Sequence, residues 1–87
     1  MPADDTNDAA IALQALAWTL GDPARAERLL AVTGLTPAAL RAGAGEPATL
    51  AAVLGFLEAH EPDLVACAAA TDTNPATLVA VRHRLES

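Results

Sequence analysis

Besides its carboxylates and threonines, this 87-residue chain has few side chains that could do covalent or acid–base chemistry: one cysteine, Cys67, two histidines, His60 and His83, and a lone serine, Ser87. Serine hydrolysis needs a strained Gly-x-Ser-x-Gly elbow, and Ser87 is the final residue, outside any such motif. A carrier role for a phosphopantetheine arm, which small acidic helical proteins bring to mind, needs an internal serine and is excluded for the same reason. Cys67 stands among Ala66, Ala68 and Ala69 and reads as a small buried apolar residue, not a thiolate nucleophile. His60 and His83 fall where helices end, places that a helix macrodipole makes favourable for histidine. Metal binding fails on ligand spacing, because one cysteine and two distant histidines match no zinc pattern. Glu58, His60, Glu61 and Asp63 gather near one turn and read as a solvated corner between helices. Gly43-Ala44-Gly45 is too short for a phosphate loop and lacks the following lysine. No catalytic, metal or cofactor site is expected.

Nucleic-acid chemistry is the next possibility. Residues 24–42 have the outline of a helix-turn-helix, with a glycine in the turn and Leu40 where a buried residue belongs. A recognition helix must offer arginine, lysine, asparagine or glutamine to base edges, and between Thr36 and Gly43 only Arg41 qualifies. The net charge is −6, with five basic residues, all arginine (Arg25, Arg28, Arg41, Arg82 and Arg84), against eleven acids. Such a surface repels phosphate backbones and anionic lipid. A single cysteine forms no intramolecular disulfide framework and suits a reducing cytoplasm. The first eight residues are polar and acidic, wrong for a signal peptide. No apolar run approaches the roughly 18 residues of a membrane span. The expected location is therefore the cytoplasm.

The elements follow from composition and punctuation. Hydrophobic residues make up 53% of the chain and aromatic ones 2%. Much of the apolar share is alanine, the best helix former, and β-branched residues are few. An all-α fold follows. Asp22-Pro23, Thr36-Pro37, Glu46-Pro47, Glu61-Pro62 and Asn74-Pro75 each precede an apolar-periodic stretch. Proline suits the first helical position, where its missing N–H is orphaned anyway. Asp, Thr and Asn are good N-caps and Glu a weaker one. The spacing predicts six short helices near 8–20, 22–33, 36–43, 46–59, 61–70 and 74–86, in one domain over 8–87 behind a disordered tail over 1–7. The sharpest local signal is Thr33-Gly34-Leu35-Thr36-Pro37. Gly34 is expected to end one helix in a left-handed conformation, with Leu35 folding back as in a Schellman motif. Thr36 then caps the next helix and Pro37 begins it.

Leu50, Val53, Leu54 and Leu57 form a core stripe at helical spacing, as do Leu78, Val81 and Leu85. In the first helix Leu13, Leu16 and Leu20 form one stripe, while Ile11 and Trp18 face elsewhere. A helix apolar on two sides is either central to the fold or docked against a partner, and the central position is preferred. Residues 33–42 align with 71–80, and the same offset sets Trp18 against Phe56 and Leu16 against Leu54. Two three-helix repeats would explain this. So would the general likeness of alanine-rich helices with proline starts, and both readings stand.

Ile11-Ala-Leu-Gln-Ala-Leu-Ala-Trp18, Thr33-Gly-Leu-Thr-Pro-Ala-Ala-Leu-Arg41, Leu50-Ala-Ala-Val-Leu-Gly-Phe-Leu57 and Glu61-Pro-Asp-Leu64 resemble segments of a family of small, uncharacterised helical proteins, mainly alphaproteobacterial, known only as a domain of unknown function. The resemblance runs from the first helix through the fifth, and the last helix matches in character alone. It implies a compact helical fold and no activity. With the chemistries above set aside, protein–protein interaction remains, as an adaptor or accessory subunit that binds an unidentified protein or itself. Ile11, Trp18 and Phe56 are the anchors large enough for an interface, with Arg41 the candidate polar contact. Arg25, Glu27, Arg28 and the Arg82-His83-Arg84 run would form its rim. The alternative is a helix-turn-helix-like DNA-binding regulator.

Overall fold

In a computed structural model, which describes the backbone of residues 2–87 and the side chains from Asn7 onward, six helices follow one another. They are α1 (Pro2–Leu20), α2 (Pro23–Thr33), α3 (Pro37–Ala42), α4 (Pro47–Glu58), α5 (Glu61–Ala70) and α6 (Pro75–Glu86). About 80% of the chain is helical and no strand occurs among the described residues. The radius of gyration, 11.8 Å, is that of a compact chain of this length, about 12 Å. The all-α bundle expected from composition is the observed one. The start of α1 differs: its backbone is helical from Pro2, through most of the stretch set aside above as a tail.

Helix starts follow the prolines. Every helix from α2 to α6 has proline at its first or second position, preceded by a residue in extended conformation. Only two of those preceding residues cap through their side chains. Thr36 Oγ1 accepts from the Ala39 N–H at 3.0 Å and Asn74 Oδ1 from the Thr77 N–H at 2.9 Å. Asp22 makes no such bond; its carboxylate lies 3.7 Å from Arg25 instead. His60, not Glu61, occupies the cap position of α5.

Helix ends hold a second difference. Gly34 ends α2 at φ 75°, and its N–H donates to the Leu30 carbonyl at 2.9 Å. The Leu35 N–H donates to Thr33 Oγ1 at 3.3 Å. The turn is thus the simpler left-handed motif with a single back-bond, not the Schellman pair expected there. Thr33 Oγ1 itself donates to the Leu29 carbonyl, which places it where it can intercept Leu35. A Schellman pair does form after α5, where the Thr73 and Asp72 N–H groups reach the Ala68 and Ala69 carbonyls with Asp72 at φ 60°.

The core centres on α4. Leu50, Ala51, Val53, Leu54, Phe56 and Leu57 are all buried, so this helix has no polar face before Glu58. A helix apolar all round belongs inside. It packs most extensively against α6 and α1 and also touches α2 and α5. Fully burying each such leucine contributes about 1.5–3 kcal/mol. The most buried helix is therefore α4, and α1 packs against four helices as well, α4, α6, α2 and α5. On α1 the inward stripe is Asp8, Ala12, Ala15, Leu16 and Thr19, while Leu13 and Leu20 are more than 40% exposed. Alanines at the contact let α1 and α4 approach closely, which leucines at those positions would prevent.

The halves do not repeat as packing units. The matched turns are locally alike, since Gly34 and Asp72 are both left-handed and Thr36 and Asn74 both cap. Yet α4 packs heavily on α6, whereas α1 and α3, their counterparts, make no comparable contact. α3 has 6 residues and α6 has 12, so only the longer helix can span the core.

Candidate functional site

Polar groups singled out in the sequence are mostly engaged in holding helices together. Glu58 accepts from Arg82 of α6, with one bond of 3.1 Å beside a shorter one to Nε, and Arg82 also reaches Glu86 at 2.9 Å. Asp63 accepts from Arg28 of α2 at 3.0 Å. The acidic corner at residues 58–63 is thus split between two ion pairs, and no three potential metal ligands converge among the described residues. His60 and His83 are both exposed and lie apart in the chain, His60 at the cap before α5 and His83 within α6. Cys67 is completely buried; burial pushes its thiol pKa up, outweighing a lowering contribution from Thr71. A thiol held neutral and out of reach does not act as a nucleophile.

Asp8 went unnoticed in the sequence. Its carboxylate, 3% exposed, accepts two bonds of 2.8 Å from Arg84, joining α1 to α6. Those bonds hold its pKa below the usual carboxylate value against the opposing effect of burial. A cleft of about 470 Å3 opens beside this pair, and Asp8 and Arg84 are its charged groups.

The aromatic anchors are not free. Phe56 is buried at 6% exposure, with the Arg28 guanidinium 5.9 Å from its ring centre. Trp18 is half-buried, and the Arg25 guanidinium stacks over it at 3.7 Å. The same guanidinium donates to the Trp18 carbonyl at 2.6 Å, satisfying a carbonyl at the end of α1, whose last turn has no basic residue of its own. Ile11 is half-buried against the core. Phe56 therefore belongs to the core, and the proposed anchors do not assemble into one exposed face.

A different face is available. The C-terminal half of α1, α2 and α3 enclose an apolar cleft of about 410 Å3, walled by Leu16, Leu20, Leu30, Pro37 and Leu40. Its one charged wall residue is Arg41, which is exposed. Four of the five arginines sit in ion pairs, and Arg41 alone among the described residues has none. The tight turn at Gly34 and the Thr36 cap position α3 so that Leu40 points inward and Arg41 borders the cleft. The leucine stripe of α1 was visible in the sequence, but its role as cleft wall was not. That role depends on α3, whose Pro37 and Leu40 form another wall of the cleft.

The class this defines is a small all-α bundle with an apolar cleft and no converged polar site among its described residues. The chain belongs to a family described as protein of unknown function (DUF3572), whose match spans residues 6–87 and so takes in α6 as well. No curated protein and no solved structure matches it. No single helix among the described residues is long and apolar enough to cross a membrane; α5 and α6 together would be, but they meet at a bend of 99°.

Proposed function

We propose that this chain is a protein-interaction module, an adaptor or accessory subunit of the cytoplasm without a catalytic site, and that its docking face is the cleft between α1, α2 and α3. The observation that carries the reading is an apolar cleft that includes the exposed Leu20 and is bordered by an arginine with no ion pair among the described residues. Apolar concavities with one placed polar group are the usual form of a binding site. The helix-turn-helix alternative has less behind it: α3 is six residues long and offers Arg41 as its single base-reading side chain, on a chain of net charge −6.

The test is affinity capture from native extract with the parent and with the Leu13→Gln/Leu20→Gln variant. Both leucines are exposed, so the variant is expected to melt within about 1 kcal/mol of the parent. One protein recovered in stoichiometric amount by the parent and lost by the variant supports the reading. Recovery that ignores both substitutions, or recovery of nucleic acid, overturns it.

A further inference from the structure

The cleft has a shape and a charge that together define its occupant. We propose that it takes an amphipathic helix of a second protein, whose apolar side chains fill the cleft and whose carboxylate pairs with Arg41. The inference rests on the reading of the cleft as an interaction face and goes further in naming what fits there.

Length is the first argument. The exposed apolar surface does not stop at the cleft, because Leu13 continues it along α1. From Leu13 to Leu20 is two turns, a rise of about 10 Å. A compact small molecule would fill the cleft and leave Leu13 in water, whereas a helix laid beside α1 covers both. Apolar residues at i, i+3 or i+4, and i+7 are the recurring way a helix seats in such a groove.

Charge is the second argument. Arg25, Arg28, Arg82 and Arg84 each have a carboxylate within 4 Å, and among the described residues Arg41 does not. Covering it with an apolar or basic surface would leave a desolvated charge unpaired, which is costly. An acidic residue on the incoming helix completes the pattern, and a bidentate carboxylate suits the planar guanidinium. A second copy of this chain is the poorer occupant, since each copy brings a net charge of −6 and like charges oppose the encounter.

The experiment is selection of a displayed helical-peptide library on the full chain, with depletion on the Leu13→Gln/Leu20→Gln variant. Anisotropy titrations of the synthesised winners follow. Enriched peptides should share apolar positions at i, i+3 or i+4, and i+7 and one Asp or Glu. Arg41→Glu should weaken their binding about tenfold or more, and an acid-to-arginine change in the peptide should restore it on that variant. Arg41 is exposed, and a melt matching the parent's excludes misfolding as the cause. Peptides that need the leucines yet share no acid and ignore Arg41→Glu would overturn the carboxylate-bearing helix while leaving the interaction face in place. No enrichment at all would overturn both. A sedimenting dimer abolished by Leu20→Gln would make the occupant a second copy and overturn this assignment.

Discussion

Three glycines in the middle of the chain allow backbone strain to be separated from steric collision. At Gly34, φ is 75°, and a Cβ built there would meet nothing within 4 Å. Gly34→Val therefore costs backbone conformation alone, about 1–3 kcal/mol for a β-branched residue in the left-handed region. For a domain of this size each kcal/mol moves the melting temperature by roughly 4–8 °C, so a 2 kcal/mol cost means a fall of about 8–16 °C. Gly45 is the control: its surroundings are equally open, but its φ is not positive. Gly45→Val should change stability by no more than about 0.5 kcal/mol. Gly43 is the opposite case. An added Cβ would lie 2.5 Å from Thr49 Oγ1 and 3.3 Å from the Ala39 carbonyl, so Gly43→Ala should cost about 1–3 kcal/mol by overpacking. Thr49→Ala in the same chain should recover most of that loss. Thermal melts followed by circular dichroism at the helical band read all four variants. If Gly34→Val melts within about 3 °C of the parent, or Gly45→Val falls as far as Gly34→Val, left-handed strain is not what makes glycine necessary at the end of α2.

Two further outcomes follow from the buried groups. Asp8 has a folded pKa below its ordinary value, so its contribution is full above about pH 4 and is lost as pH falls through the lower folded value. Asp8→Asn should therefore be less stable than the parent at pH 7, by about 1–2 kcal/mol given the half-exposed Arg84, with the gap narrowing as the pH falls below about 4. A gap that does not narrow in acid would show that the Asp8–Arg84 pair is not its source. Cys67, buried and held protonated, should resist an aromatic disulfide reagent in the native protein and react promptly in denaturant. Native labelling at the rate of a free thiol would contradict its place in the core.

Helix number, the starts of α2 to α6 and the break at Gly34 were legible in the sequence because their causes are local. Proline at a first turn, a capping threonine or asparagine and a left-handed glycine act through bonds no more than four residues long, and the residues that make them are adjacent in the chain. The buried stripes of α4 and α6 were legible for a related reason, since helical periodicity shows which side chains share a face. Periodicity does not show which face meets a partner. On α1 it offered leucines on one side and Ile11 with Trp18 on another, and the structure turned inward the side that carries Ala12, Ala15 and Leu16, where the alanines let α1 lie close to α4. The same docking buried Phe56, stacked Arg25 on Trp18, sank Asp8 against an arginine 76 residues away and left Leu13, Leu20 and Arg41 on the surface. Burial and pairing belong to two segments at once, and segments far apart in the chain meet only when the helices pack. Local conformation could therefore be read residue by residue, while the cleft and the charge beside it exist only in the packed bundle.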